Sequence, residues 1–189
     1  MLIPRVNATD HILGLPRPDS VVLVEYGSYD CARCHDSYHA VKDIQRFLGN
    51  HLTYVFRPLP TSKDANSLAF RAAEAAEAAA SQGWFWEMHD QLFEHQVQLD
   101  DAHLARYAEK VSLDTDRFKR EMNDRTYSGR VQRSIKYAAM SHIEKIPALF
   151  INNVPFSGYP DVDDLLCTIE DALAPCSRDV VFMRDADRT

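Results

Sequence analysis

The sequence predicts an α/β fold in which a small sheet carries an inserted all-helical cap. Two segments rich in β-branched and aromatic residues, 21–26 and 52–57, flank one helical segment. A strand, helix and strand of these lengths imply a right-handed crossover and parallel pairing. From Asn66 to about His142 the pattern is helical almost throughout, and strand patterns return at 148–156.

Length and composition indicate one globular domain. The 189 residues suffice for a single sizeable core, and 46% of them are hydrophobic and 26% charged. We therefore predict one domain over 1–189, with the helical insertion at about 65–142 and a weakly ordered, charged tail at 175–189.

Charge and hydropathy narrow the class of partner. The net charge of −7 argues against a nucleic-acid partner and against an anionic membrane surface. No apolar run approaches the length of a membrane span. The first residues lack the basic-then-apolar order of a secretory signal. We expect a cytoplasmic monomer or homodimer without a membrane partner.

The first elements follow from local signals. The proline-rich segment 1–20 is predicted to be irregular, and the apolar run 21–26 to be a strand buried on both faces. A short loop then leads into a helix that begins near Cys31 and stops at Gly49. Residues 52–57 form the next strand.

The insertion is predicted to hold five helices. They cover 67–81, 84–95, a segment capped by Asp100 or Asp101, a segment capped by Asp114 or Thr115, and 126–140. The aromatic residues of the second helix are expected to form the core of the cap; they are Trp84, Phe85, Trp86 and Phe93.

The chain returns to strand after the insertion. Asn152 and Asn153 form a two-residue hairpin turn between strands at 148–151 and 154–156. A last amphipathic helix is predicted at 161–173. Cys167 is expected to be a buried small hydrophobe of that helix, and Cys176 an exposed thiol in the tail.

Two cysteines three residues apart stand at the strand-to-helix junction. Residues at i and i+3 share one side of a helix, so Cys31 and Cys34 can close a small disulfide ring. Cys31 lies at the helix N-terminus, where free N–H groups and the helix dipole favour the reactive thiolate. Arg33 adds positive charge. We therefore predict that Cys31 is the nucleophile and that Cys34, one turn inward, is the resolving thiol.

The same residues also fit other interpretations. One alternative is that Cys31 and Cys34 are only buried structural cysteines. It is disfavoured, because two unrelated cysteines would rarely fall three residues apart at a strand-to-helix junction. Residues 31–35 match the Cys-x-x-Cys-His haem pattern, but c-type haem attachment needs export and a second axial ligand. A zinc site from Cys31, Cys34 and His35 lacks a fourth ligand, since Cys167 and Cys176 form no second close pair. We predict no cofactor and no metal.

Strand, loop, Cys-x-x-Cys and helix together resemble the active-site unit of the thioredoxin-fold oxidoreductases, and the rest of the chain resembles their DsbA-like branch. Residues 145–153, Lys-Ile-Pro-Ala-Leu-Phe-Ile-Asn-Asn, look like the segment that carries a cis-proline facing the disulfide. Residues 84–93 are similar to a stretch common in the DsbA-like branch. The resemblance covers about 10–173 and implies a thioredoxin fold with an inserted helical cap.

The resemblance also implies roles for single residues. Glu25 lies six residues before Cys31, where this superfamily often has a buried acid, and it would accept the proton of Cys34. The alternative is an exposed strand end. Ile146 and Pro147 are expected to bind an extended substrate; the alternative for Pro147 is an ordinary trans proline at a strand start.

The sequence departs from the family at two points. Ala32-Arg33 replaces the Pro-His or Pro-Tyr of the wider family, so the redox poise does not follow from the resemblance. Ile146 stands where many relatives carry Thr or Val, and its bulk restricts what docks there. We expect Arg33 and His35 to lie beside the bound substrate.

The function that follows is thiol–disulfide exchange with protein thiols and disulfides or with glutathione. A glutathione-dependent transferase or isomerase on the same fold is the first alternative. A redox-responsive binding module without turnover is the second.

Overall fold

The strands and helices of the protein follow the predicted order, with one short strand added near the N-terminus. The computed structural model describes residues 1–182. The strands are β1 His11–Leu13, β2 Val21–Gly27, β3 Leu52–Pro58, β4 Ala148–Ile151 and β5 Val154–Pro155. The helices are α1 Ala32–Leu48, α2 Leu68–Ala80, α3 Phe85–Glu94, α4 Asp101–Lys110, α5 Thr115–Asn123, α6 Ser128–Met140 and α7 Val162–Phe182, with a short 3₁₀ turn Gly49–His51 after α1.

The five strands form one sheet in the order β1-β3-β2-β4-β5. β2 and β3 pair in parallel, which confirms the predicted crossover through α1, and β4 pairs antiparallel with β2. Asn152 and Asn153 both have positive φ, as a tight hairpin turn between β4 and β5 requires. β1 corrects the prediction that 1–20 is irregular: three residues are too few to leave a periodic pattern.

Short polar side chains cap three of the five helices of the insertion, whereas α3 and α6 begin without a side-chain cap. Ser67, Asp100 and Asp114 each accept a hydrogen bond from the first turn of the helix that follows. In the two predicted pairs of caps, the first residue is therefore the one used. Gly49, with φ of +52°, ends α1 where the sequence predicts a stop.

The two faces of the sheet have separate cores, and the alternation along β2 decides which face each residue joins. Leu23 packs in the large core formed with α1 and the insertion, whereas Val24 and Tyr26 pack with Leu2 and Ala138 on the other face. Glu25 lies between Val24 and Tyr26 in sequence. It therefore points toward the α1 face, beneath the cysteine pair.

Two side-chain predictions are corrected by the structure. Cys167 is exposed rather than buried, because it lies about 200° around α7 from the buried Leu165. Trp84 is 39% exposed and so is not core, whereas Phe85 and Phe93 are buried as predicted.

The C-terminal prediction is only partly covered. The helix α7 extends beyond the predicted 161–173 into the expected tail, and 183–189 lie outside the described residues. The side chain of Cys176 is likewise outside the described part. Over 1–182, none of the helices combines the length and the apolar character needed to cross a membrane.

Candidate active site

Cys31 is the N-cap residue of α1. Its backbone is extended, with φ of −96° and ψ of 116°, and its carbonyl accepts the first helical hydrogen bonds from the amides of Cys34 and His35. The Cys34 amide lies 3.3 Å from Cys31 Sγ and donates to it. Cys31 is partly exposed, whereas Cys34 is completely buried. The two thiols therefore sit one turn apart in different environments.

These environments separate the pKa values of the two thiols. A hydrogen bond from the Cys34 thiol lowers the pKa of Cys31 to about 7, and the backbone amides of Cys34 and Arg33 act in the same direction. The hydrogen bond to Cys31 and burial raise the pKa of Cys34. At neutral pH about half of Cys31 is therefore a thiolate while Cys34 keeps its proton.

Glu25 is fully buried beneath this pair. The Tyr54 hydroxyl donates to Glu25 Oε2 at 2.8 Å, while Oε1 has no hydrogen-bond partner among the described residues. Burial raises the pKa of Glu25 to about 7, and the hydrogen bond from Tyr54 opposes that shift. The alternative of an exposed strand end does not fit this burial.

Gly27 leaves room for the buried carboxylate. A Cβ at this position would lie 3.0 Å from Phe56 Cε2 and 3.3 Å from Glu25 Oε1. Any larger residue would have to displace one of these groups, so a glycine here keeps the space beside Glu25 open.

The loop from β2 to α1 is tied to the loop after β3. The Gly27 carbonyl accepts from the Leu59 amide at 2.7 Å, and Ser28 Oγ accepts from the Thr61 amide at 3.2 Å. The Cys31 amide donates to the Ser28 carbonyl at 3.2 Å. These bonds fix the position from which α1 begins.

A glutamine of the insertion also holds Cys31. Gln96 Nε2 donates to the Cys31 carbonyl at 2.9 Å. The next residue, Val97, is 95% exposed. Sequence reasoning missed Gln96, because it lies in the loop between α3 and α4 and no local pattern relates it to a helix 65 residues earlier.

Sequence reasoning also missed Tyr54 as the partner of Glu25, although the pairing register of β2 and β3 indicates it. Tyr54 is opposite Leu23 in the parallel pair, and Leu23 shares a face with Glu25. Two neighbouring strands thus direct Tyr54 and Glu25 into the same core. Reading that register from the sequence requires the strand ends to be known to the residue.

A buried histidine adjoins the active-site loop. His89 Nδ1 lies 3.2 Å from the Tyr29 hydroxyl, and His89 is packed among aromatic rings that include Phe56 and Phe93. Burial holds the pKa of His89 well below its usual range, so the ring is neutral.

The remaining predicted site residues surround the start of α1. The exposed Arg33 guanidinium lies 5.6 Å from the Tyr159 ring centroid, and His35 is half-buried in the first turn. Ile146 and Pro147, joined by a cis peptide bond, directly precede β4. Ala148 pairs with Tyr26, so this segment meets β2 at the end that leads to the cysteines. Their roles in substrate binding stay predictions.

Comparisons with known proteins agree with this architecture. A family model described as thioredoxin matches residues 7–171. Two solved structures superpose over most of the chain. A thioredoxin-like oxidoreductase from Silicibacter pomeroyi DSS-3 has a TM-score of 0.74 and 22% identity, over 88% of this chain and 93% of its own. The thiol-disulfide exchange protein alpha-DsbA2 from Wolbachia pipientis has a TM-score of 0.72 and 19% identity, over 88% of each chain. The fold is therefore a DsbA-like thioredoxin fold, as predicted.

The curated relatives carry a different name. The Na(+)/H(+) antiporter NhaA 3 of Salinispora tropica is 38% identical over 174 residues, which are 92% of this chain and 26% of that protein. The chain thus spans about a quarter of the length of the curated relatives it matches.

Proposed function

Because the chain belongs to the thioredoxin family, we propose that it is a thiol–disulfide oxidoreductase that works through Cys31 and Cys34. The observation that carries the proposal is the difference between the two thiols. One is a partly exposed N-cap thiol with a pKa near 7, and the other is a buried thiol that hydrogen-bonds to it. The solved neighbours include a thioredoxin-like oxidoreductase and a thiol-disulfide exchange protein, which supports the same chemistry.

The first step is attack of the Cys31 thiolate on one sulfur of a substrate disulfide. The new bond joins Cys31 to that sulfur, the substrate S–S bond breaks, and the second substrate sulfur leaves as a thiolate. The reactive position of Cys31 at the start of α1 supports this role, because the backbone N–H groups there stabilise a thiolate.

The second step is attack of Cys34 on Cys31 Sγ. The Cys34 thiol first loses its proton, and we propose that Glu25 accepts it, since its carboxylate is buried beneath the pair and has a pKa of about 7. The Cys31–Cys34 disulfide then forms, the mixed disulfide breaks, and the substrate sulfur that was bound to Cys31 leaves as a thiolate. The substrate gains two electrons and the pair loses two; the reverse sequence oxidises a substrate.

The proposed substrates are protein thiols and disulfides, with glutathione as a small alternative. Ile146 and Pro147 would pair with an extended segment beside Cys31, while Arg33 and His35 would border it. We do not extend antiport to this chain, because the match covers about a quarter of the relatives that bear that name.

A mixed-disulfide trap tests the proposal. Cys34→Ser removes the resolving thiol and leaves the nucleophile, so attack should proceed and the covalent intermediate should persist. Expressed in cells, this variant should carry protein partners that dithiothreitol releases, with the link on Cys31 by mass spectrometry. Cys31→Ser is the matched control and should trap far less, because Cys34 is buried.

Two results would contradict parts of the proposal. Glutathione alone on Cys31 would favour a glutathione-dependent enzyme. No adduct of either kind, with Cys31 still open to alkylation, would favour a binding module and reject the oxidoreductase.

A further inference from the structure

Two histidines of α1 face each other just beyond the cysteine pair. His35 and His39 are four residues apart, and their Nε2 atoms lie 3.3 Å apart. The rings are nearly perpendicular, with an interplanar angle of 85° and centroids 4.5 Å apart. His35 is half-buried and His39 is exposed, so solvent reaches the pair. The proposed exchange chemistry does not use His39.

The distance between the two nitrogens is that of two ligands on one metal ion. In a tetrahedral zinc site with Zn–N bonds of about 2.0–2.1 Å, two bound nitrogens lie roughly 3.3 Å apart. Histidines at i and i+4 on a helix are a recurring zinc-binding pair, because that spacing puts both rings on one face. The two Nε2 atoms are now within hydrogen-bonding distance of each other, and chelation would replace that contact by one bond from each nitrogen to the ion.

A buried ring supports the geometry of the pair. Tyr38 is 5% exposed, and its ring centroid lies 5.1 Å from that of His39 and 6.5 Å from that of His35. Tyr38 stacks in turn on Phe93 of the insertion, at 4.9 Å between centroids. The two imidazoles thus lie beside a ring that is part of the packed core.

We propose that His35 and His39 form a binding site for a divalent transition-metal ion such as Zn²⁺ or Cu²⁺, next to the redox-active pair. Both imidazoles bind in their neutral form through Nε2. No group of three His, Cys, Asp or Glu side chains suited to a metal occurs among the described side chains, those of 1–173. The ion therefore keeps positions open for water or for a ligand from another molecule, and it exchanges readily. Cu²⁺ binds more tightly than Zn²⁺.

The sequence did not indicate this site. A zinc site from Cys31, Cys34 and His35 lacks a fourth ligand, and His39 was not among the predicted site residues. The spacing of His35 and His39 is visible in the sequence, and the structure adds that the two rings face each other on α1.

Titration calorimetry with Zn²⁺ tests the site in protein that has the Cys31–Cys34 disulfide formed and the other thiols alkylated. This state removes thiolates as competing ligands and keeps Cu²⁺ from oxidising them. His39→Gln and His35→Gln should each weaken Zn²⁺ binding by roughly tenfold or more. His51→Gln is the matched control, because His51 is also exposed but faces Asp19. The Zn²⁺ affinity of this variant should equal that of the wild-type protein.

A second measurement locates the ion. Substoichiometric Cu²⁺ should broaden the NMR signals of the His35 and His39 rings before those of the other six histidines. Zn²⁺ affinity unchanged in both variants, or first broadening at another histidine, would overturn the proposal. Unchanged circular dichroism of the variants checks that the helix is intact, and the outcome does not depend on turnover of any disulfide substrate.

Discussion

Cys31 and Cys34 differ because they occupy different positions on the same helix. Cys31 precedes the first turn, where the amides of Arg33 and Cys34 are free to donate to its sulfur. Cys34 lies one turn inward, against the core. The charge of Arg33 was expected to matter as well, but the contribution of Arg33 comes through its backbone amide, while its guanidinium lies over Tyr159.

Alkylation of the reduced protein should report this difference. The rate at which iodoacetamide labels Cys31 should rise through a midpoint near pH 7, and Cys34 should stay unlabelled until the protein unfolds. Arg33→Gln should leave the midpoint nearly unchanged. N-acetylcysteine in the same assay gives the midpoint of a free thiol. Faster labelling of Cys34 would reverse the assignment of the two roles.

Glu25 should make the stability of the protein depend on pH. Its pKa is about 7 in the folded state against 4.5 without burial. Below pH 4.5 the group is protonated in both states and does not affect the free energy of unfolding. As pH rises from 4.5 through 7, the unfolded chain ionises more readily than the folded one, and the fold loses stability. The full cost is about 3 kcal/mol above pH 8. Glu25→Gln cannot ionise, so its free energy of unfolding should rise by that amount relative to wild type between pH 4 and 9, measured by urea unfolding of the oxidised proteins. Parallel stability curves would show that the carboxylate is not buried.

The insertion and the thioredoxin core are joined at the active site by the Gln96–Cys31 hydrogen bond. Removing the Gln96 side chain takes away one hydrogen bond to the carbonyl from which α1 starts, and the contacts made by α3 itself remain. Gln96→Ala should cost about 1 kcal/mol, and amide hydrogen exchange at Cys34 and His35 should accelerate. Gln98→Ala, at an exposed position two residues on, should change neither. Equal exchange in both variants would mean that Gln96 does not hold the start of α1.

The edge strand β1 is secured by a buried ion pair. Arg57 of β3 contacts both carboxylate oxygens of Asp10, at 2.7 and 2.8 Å, and also donates to the Tyr26 hydroxyl. Asp10→Ala would leave the guanidinium buried without its counter-ion and should cost about 3–5 kcal/mol in chemical unfolding. The exposed pair of Arg17 and Asp19 is the control, and Asp19→Ala should leave the free energy of unfolding nearly unchanged. A similar small loss for Asp10→Ala would show that water reaches Arg57.

The sequence patterns predicted those parts of the molecule that depend on local order. A β-branched run, a cysteine pair at its end and a glycine stop were enough for β2, α1 and β3, and short polar residues located the caps of the insertion. Cys167 was placed on the wrong face of α7, although its offset from Leu165 is visible in the sequence. β1 and Gln96 could not be predicted, because each depends on contacts with residues more than 40 positions away.

The molecule as a whole should bind protons differently in its two redox states, so the stabilities of the reduced and oxidised forms should depend differently on pH. Forming the disulfide removes the Cys31 thiolate, whose pKa of about 7 is depressed relative to the unfolded chain. The stability that this thiolate contributes is full above the unfolded pKa of about 9 and is lost as pH falls through 7. From pH 6 to 8, the free energy of unfolding of the reduced protein should therefore rise by about 1 kcal/mol relative to that of the oxidised protein, after allowance for the partial exposure of Cys31. Glu25 titrates in both states and largely cancels in the difference. Urea unfolding of both forms at each pH measures the gain, and reduced Cys31→Ser should lack it. A constant difference between the two forms would mean that the fold does not favour the Cys31 thiolate and that the poise of the pair has another origin.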